Sequence, residues 1–152
     1  MGQRYKVFIN EKLIQLAEEE HPGTKNIPFV KQPELDKSLA AWAKGEISEP
    51  INLVCINVEE AWNYFKDFFT EIIAAGGAVF NNSGELLWIH RLNKWDLPKG
   101  KVDPGEAEDV TAVREVMEEC GVEEVYLKEK LLDTYHVYQL NGTPILKRTA
   151  WY

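Results

Sequence analysis

The stretch GKVDPGEAEDVTAVREVMEECGV, residues 100–122, combines a helical pattern with a dense set of acidic side chains. Proline and glycine precede the pattern and a glycine follows it, as is typical of helix ends. We therefore predict a helix over residues 107–120. At about 100° per residue, Glu115, Glu118 and Glu119 fall on one face of that helix. The side chains expected on the opposite, core-facing side are Val113, Val116, Met117 and Cys120.

Three carboxylates on one helical face predict a bound cation. Carboxylates about 5 Å apart repel by about 3 kcal/mol at an effective dielectric constant of about 20. A solvated acidic face with lysine partners is the alternative, but the next turns of the helix supply a single cation, Arg114. A divalent ion would remove the repulsion, and Mg²⁺ suits a site made of a few carboxylates and several waters.

The spacing of these residues resembles the Nudix box, the signature of the Nudix hydrolase family, and meets its defined positions throughout. The flanking patterns fit as well, with strand-like runs over 71–80 and 85–91 and an Asn-Gly hairpin signal at 141–142. The resemblance spans about residues 69–152. The residues that match the box are Gly100, Glu106, Arg114, Glu115, Val116, Glu118, Glu119, Gly121 and Val122.

The resemblance implies an α/β fold, an α/β/α sandwich with a mixed sheet, and a metal-dependent hydrolase. Its expected reaction is cleavage of a pyrophosphate bond in a nucleoside diphosphate linked to another moiety. In the family, carboxylates at the positions of Glu115, Glu118 and Glu119 hold the ions, together with a backbone carbonyl at the position of Lys99. Mg²⁺ is the expected ion and Mn²⁺ the alternative.

The resemblance also implies catalytic roles for three residues of the box. Glu118 is the first candidate for the general base if it is free of metal, although in many family members the base lies on a loop beyond the box. Arg114 is expected to pair with Glu106 and to orient the ligands. The alternative for Arg114 is an ordinary arginine on the surface of a helix.

The segment before the box offers candidate contacts with substrate. The form PKGK at residues 98–101 resembles hydrolases of dinucleoside polyphosphates and diphosphoinositol polyphosphates. Lysines flanking the site would suit a phosphate-rich ligand, whereas solvated loop lysines are the alternative. Trp95 in this segment, and Tyr135 in a strand-like run after the box, could stack on a base or pack in the core. The candidate substrate contacts are Arg91, Lys99, Lys101, Trp95 and Tyr135.

Residues 1–68 are predicted to form a small α+β domain of unknown role, before a Nudix domain at 69–152. Because the chain stops within a predicted strand, the C-terminal part of the Nudix fold is expected to be missing. The exposed edge would favour a homo-oligomer. The predicted N-terminal elements are a hairpin turning at Asn10 and Glu11, a loop to about Lys31, a helix over 34–44, a strand over 51–57 and a helix over 58–69.

Composition narrows the expected partners and location. The net charge of −8 disfavours broad binding to nucleic acid and leaves a small phosphorylated molecule carried with its metal as the expected substrate. No apolar run reaches the length of a membrane span. Two separated cysteines, Cys55 and Cys120, indicate reduced thiols in a cytoplasmic protein.

Three alternatives to the predicted function stay open. They are a nucleotide-sugar or ADP-ribose pyrophosphatase, a ligand-sensing domain of a regulator, and an interaction module.

Overall fold

The computed structural model describes residues 4–152, which form a mixed α/β protein with three helices and a large mixed sheet. This confirms the predicted fold class. In that part of the chain, no helix is long and apolar enough to cross a lipid bilayer. The elements are β1 (Tyr5–Ile9), β2 (Lys12–Ala17), β3 (Lys25–Pro28), α1 (Pro33–Ala43), β4 (Ile51–Val54), α2 (Val58–Asp67), β5 (Thr70–Gly76), β6 (Ile89–Arg91), β7 (Lys94–Asp96), β8 (Lys99–Lys101), α3 (Glu108–Cys120), β9 (Leu132–Leu140) and β10 (Thr143–Trp151).

The described chain divides into two compact units. The first contains residues 4–71 and Tyr135–Lys147, and the second contains Ile72–Thr134 and Arg148–Tyr152. Strands β9 and β10 therefore contribute residues to both units. The predicted division into domains at 1–68 and 69–152 stays a prediction.

The first unit is built on two hairpins and parallel strand pairs. Strands β1 and β2 form an antiparallel hairpin whose turn residues Asn10 and Glu11 have φ angles of 47° and 66°. Strand β9 joins β1 in parallel, and Asn141 and Gly142 form the turn between β9 and β10. Both predicted hairpins are thus present. Strand β3, which pairs in parallel with β4, replaces part of the predicted loop because its backbone bonds to a neighbour that is distant in sequence.

Helices α1 and α2 pack against strand residues to form the apolar core of the first unit. Helix α2 begins at an Asn57 cap whose side chain accepts from the Glu60 N–H at 3.0 Å. Trp62 is buried on this helix and stacks on Tyr5 with ring centroids 4.2 Å apart. Trp42 on α1 is buried as well. These tryptophans are therefore core residues.

The second unit carries the predicted box. Strand β5 ends at Gly76, earlier than the predicted strand over 71–80, and pairs antiparallel with β8. The predicted strand over 85–91 is reduced to β6, which pairs with β7 as a separate two-stranded sheet. The predicted strands are shortened because their outer portions, around Phe80 and Leu86, meet in a single isolated bridge.

Candidate active site

Helix α3 lies where the box predicts it. It begins at Glu108 and ends at Cys120, followed by Gly121 with a φ of 63°, whose N–H donates to the Met117 carbonyl at 2.9 Å. Glycine adopts this left-handed conformation without the steric penalty of a Cβ atom, which explains the stop signal. Small side chains on the sheet, Ala75 and Ala150, let the helix pack closely.

The buried side of α3 differs from the prediction. Its buried residues are Thr111, Ala112 and Val116, whereas Met117 is 37% exposed. On a helical projection the side chains of Glu115 and Glu119 share this buried side, and they are only 14% and 23% exposed. The apolar and acidic faces are therefore not opposite. The acidic side chains extend the core-facing stripe toward the C-terminal half of the helix.

The carboxylate of Glu115 lies directly against the backbone of β8. A Cβ atom built on Gly100 would stand 1.9 Å from Glu115 Cδ and 2.1 Å from Oε2. Strand β8 is held in place by antiparallel pairing with β5, and in this register Gly100 lies opposite Ala75. A side chain at position 100 would therefore displace this carboxylate.

Arg114 joins the helix to the loop that precedes it. Its Nε donates to Glu106 Oε1 at 2.9 Å, and its Nη2 donates to Glu106 Oε2 at 2.8 Å and to the Lys101 carbonyl at 3.2 Å. Thr111 Oγ1 adds a bond to Glu106 Oε2 at 2.6 Å. The hydrogen bonds from Arg114, followed by that from Thr111, lower the pKa of Glu106 from 4.5 to about 2. Hydrogen bonds to the carboxylates of Glu106 and Glu115 raise the pKa of Arg114.

The expected Arg114–Glu106 pair is present, and Arg114 also contacts two of the predicted metal ligands. Its Nη1 donates to Glu115 Oε1 at 2.7 Å and to Glu118 Oε2 at 3.3 Å. Glu118 is 61% exposed, far more than Glu115. The guanidinium therefore offsets the repulsion between these carboxylates.

The third glutamate, Glu119, has separate partners. Its Oε2 accepts from the backbone N–H of Lys99 at 3.0 Å, and its Oε1 accepts from Arg91 Nη1 at 3.2 Å. Arg91 ends β6, at the same residue as the predicted strand over 85–91. Helix α3, strand β8 and the β6–β7 hairpin thus meet at this carboxylate.

A family model described as the NUDIX domain matches residues 70–152, which is more than half of the chain. The chain belongs to the Nudix family. A segment of 69 residues is 39% identical to a Bacillus subtilis protein named as a candidate 8-oxo-dGTP diphosphatase, covering 40% of this chain and 46% of that protein. A segment of 70 residues is 41% identical to an 8-oxo-(d)GTP phosphatase of Mycolicibacterium smegmatis, covering 45% of this chain and 20% of that protein.

The chain therefore spans less than half the length of either curated relative. Among solved structures, the MutT protein of Methanosarcina mazei Go1 is 28% identical, with a TM-score of 0.39, and the match covers 55% of this chain and 63% of that protein.

The donors of the Nudix box fit a hard divalent cation in type and charge. Carboxylate and carbonyl oxygens are the ligands that Mg²⁺ prefers, and the bare backbone at Gly100 leaves the Glu115 carboxylate in place. Among residues 4–152, however, no three Asp, Glu, His or Cys side chains converge closely enough to form a ready-made metal site. Each of the three glutamates instead contacts an arginine.

The candidate substrate contacts are distributed unevenly around the Nudix box. The Lys99 ammonium pairs with Asp96 and lies over the Trp151 ring, 5.8 Å from its centroid. Lys101 is exposed. Trp95 is exposed on β7, with its ring 4.9 Å from that of His90. Lys99 is therefore engaged within the protein, whereas Trp95 and Lys101 face solvent.

Tyr135 lies in the first unit, where its ring meets the edge of Trp62 at a centroid distance of 4.7 Å. This packing matches the core alternative stated for the residue. Its assignment as a substrate contact stays a prediction.

Two supporting residues near the Nudix box were missed by sequence reasoning. Thr111 is completely buried and bonds to Glu106. Its signal was a polar residue on an otherwise apolar helical stripe. Asp96, three residues before Lys99, holds the ammonium of that lysine. Opposite charges at this short spacing could have indicated the pair.

The outward side of α3 borders an open groove of about 510 Å³. Its walls are mainly apolar, although Arg114 and Glu118 are among the residues that line it. The lining residues are Asp109, Val110, Val113, Arg114, Met117, Glu118 and Leu127.

Proposed function

We propose that this chain carries the catalytic site of a hydrolase that cleaves a pyrophosphate bond in a nucleotide and requires Mg²⁺ or Mn²⁺. The assigned ligands are Glu115, Glu118, Glu119 and the Lys99 carbonyl. The observation that carries the proposal is the sheltered position of Glu115 and Glu119 on the side of α3 that meets β8. Both carboxylates are paired with an arginine, but a partly buried ion pair adds little net stability, so their position in this stripe favours a chemical role.

The chemistry required is the neutralisation of phosphate charge and the activation of water. A bound divalent cation supplies both, since it offsets the charge on phosphate oxygens and lowers the pKa of a nearby water. Glu118 is the most exposed of the three glutamates. If it is free of metal, it is the group that accepts the proton of the attacking water. The pair of Arg114 and Glu106 holds the loop and helix together, so the carboxylates keep their positions.

The substrate class is inferred from the relatives and the loop. Relatives that are 39% and 41% identical over short segments carry names that refer to 8-oxo-dGTP or 8-oxo-(d)GTP. A nucleoside triphosphate of this kind is our first candidate. A dinucleoside polyphosphate is the second, on the basis of the PKGK form at residues 98–101. The engaged ammonium of Lys99 weakens that second candidate.

A substrate panel tests the proposal. The purified chain would be incubated with 8-oxo-dGTP, dGTP, diadenosine tetraphosphate or ADP-ribose, with Mg²⁺ or with a chelator, and products would be separated by ion-exchange chromatography. We expect metal-dependent release of a nucleotide product, fastest from 8-oxo-dGTP. A preference for ADP-ribose would overturn the substrate assignment. Binding of nucleotide without turnover would favour the ligand-sensing alternative.

Glutamine variants test the assigned site. Glu118→Gln and Glu119→Gln should each abolish turnover, because each removes a charged ligand or base without changing side-chain size. The control is Glu123→Gln, which makes the same change at an exposed position just beyond α3. Full turnover in both site variants would remove the assignment.

We also propose a cytoplasmic location. Both cysteines, Cys55 and Cys120, are free thiols in the structure, as is usual in a reducing compartment. Alkylation of the protein in freshly lysed cells should label both thiols after unfolding, whereas a disulfide between them would contradict the assignment.

A further inference from the structure

The two arginines that contact the candidate metal ligands are held very differently. Arg114 makes three further hydrogen bonds, two to Glu106 and one to the Lys101 carbonyl. These bonds keep it in place whether or not it contacts a ligand. The side chain of Arg91 is 63% exposed, and its one hydrogen bond in the described part of the chain goes to Glu119.

The element that carries Arg91 is also lightly anchored. Strands β6 and β7 pair over three residues each and form a sheet of their own. Their turn residues, Leu92 and Asn93, have φ angles of 50° and 59°, and Leu92 is 88% exposed. Few apolar contacts and an exposed turn are features of a segment that opens at low free-energy cost.

The carboxylate of Glu119 cannot pair with Arg91 and bind a divalent ion at full strength at the same time. One of its oxygens already accepts the Lys99 N–H, and the other is the atom that Arg91 contacts. An ion bound at that second oxygen would repel a guanidinium about 3 to 4 Å away. The neutral Lys99 N–H creates no such conflict and can stay bonded.

We propose that Arg91 is an exchangeable counterion. It neutralises Glu119 while no divalent ion is bound, and it transfers to a phosphate group of the substrate when an ion takes its place. A guanidinium matches phosphate oxygens with two parallel hydrogen bonds, so the released side chain has a suitable new partner beside the site. This inference rests on the proposed function, because it requires both a metal and a phosphorylated substrate.

The exchange predicts effects of opposite sign for metal and substrate. In Arg91→Gln, Mn²⁺ should bind about two- to fivefold more tightly, since loss of an exposed ion pair removes a competitor for Glu119. The KM for the nucleotide should rise about tenfold, because a charged hydrogen bond to phosphate is lost. A variant that merely loosened the site would weaken both interactions.

The experiment measures Mn²⁺ affinity without substrate, by calorimetry or by electron paramagnetic resonance, and then measures KM and kcat. Lys94→Gln is the matched control, because Lys94 pairs with Arg91 across the hairpin and loses the same charge. Tighter Mn²⁺ binding in Arg91→Gln than in Lys94→Gln, with a raised KM, supports the exchange. Equal Mn²⁺ affinities in the two variants, or weaker binding in Arg91→Gln, overturns it.

Failure of the proposed function gives a different pattern. If the wild-type chain binds no Mn²⁺, both the site assignment and the exchange are wrong. If Mn²⁺ binds and responds to Arg91→Gln but no substrate is hydrolysed, the hydrolase proposal fails. In that case competition at Glu119 stands, and the Kd of the nucleotide replaces KM. An unchanged nucleotide Kd in Arg91→Gln overturns transfer to a substrate phosphate.

Discussion

Arg148 on β10 donates a hydrogen bond to Glu108, the first residue of α3. Its other guanidinium nitrogen donates to Asp133 on β9 at 3.4 Å. Lys130 lies between the same two acids, 2.9 Å from Asp133 Oδ1 and 3.5 Å from Glu108 Oε2. Because Arg148 is only 17% exposed, this cluster of four charges ties the start of the Nudix helix to strands far from it in sequence.

Replacing Arg148 tests what this cluster contributes to stability. Arg148→Met keeps an unbranched apolar stem but leaves Glu108 and Asp133 with Lys130 as their remaining cation in the cluster. We expect the free energy of unfolding to fall by about 1–2 kcal/mol, since partly buried acids lose a charged partner. Urea denaturation would measure the change, with Lys128→Met as an exposed control. Equal unfolding free energies of the two variants would show that the cluster contributes no more to stability than an exposed lysine does.

The pKa of Glu106 predicts a specific pH dependence. Hydrogen bonds from Arg114 and Thr111 lower that pKa from 4.5 to about 2. A carboxylate whose pKa is lowered by folding stabilises the protein above its unfolded pKa and loses this contribution as pH falls through the folded pKa. The wild-type protein should therefore lose more stability than Glu106→Gln between about pH 4.5 and pH 2. The test is the free energy of unfolding of both proteins, measured by urea denaturation across that pH interval. If the two free energies changed with pH in parallel, the lowered pKa of Glu106 would be wrong.

Local signals in the sequence were sufficient for several elements. Helix α3 was predicted because its period and its terminal Gly121 act within a few residues. The turns at Asn10–Glu11 and Asn141–Gly142 were predicted for the same reason, since residues that tolerate positive φ interrupt two strand-like runs. Such features depend on the chain's immediate neighbours along the sequence.

Other features depend on contacts between distant residues and could not be read in this way. Strand β3 exists because Lys25–Pro28 pairs with β4, although its own sequence has no strand period. The buried stripe of α3 was misjudged because Glu115 is accommodated by the bare backbone of Gly100. A carboxylate facing inward is unusual, and only the register of β8 makes it feasible.

The close approach of Gly100 and Glu115 predicts a severe effect of one added methyl group. In Gly100→Ala the new Cβ would overlap the carboxylate, so Glu115 or β8 must move. We expect a loss of about 1–3 kcal/mol in unfolding free energy from overpacking, together with weaker Mn²⁺ binding. Gly105→Ala is the control, because its φ of 83° causes backbone strain but its Cβ would meet no atom within 4 Å. Unchanged Mn²⁺ affinity in Gly100→Ala would show that the position of the Glu115 carboxylate against Gly100 does not affect metal binding.

The two lysines of the PKGK segment should differ in their effect on substrate preference. The Lys99 ammonium is held by Asp96 and lies over Trp151, whereas Lys101 is exposed. Lys99→Gln should therefore lower the unfolding free energy by about 1 kcal/mol and change KM by the same factor for substrates with two or four phosphates. Lys101→Gln should leave stability unchanged and raise KM more for diadenosine tetraphosphate than for ADP-ribose, since each added phosphate strengthens its attraction to a nearby cation.

Steady-state kinetics with both substrates, paired with urea denaturation, separate these roles. Asp96→Asn provides the matched test, because it releases the Lys99 ammonium without removing it. If Lys99 acts by fixing the turn from Asp96 to Lys99, Asp96→Asn and Lys99→Gln should lose similar stability. The opposite result would be a KM for diadenosine tetraphosphate that rises in Lys99→Gln and falls in Asp96→Asn. Lys99 would then be a phosphate contact, with Asp96 competing for its ammonium, and the positioning role would be wrong.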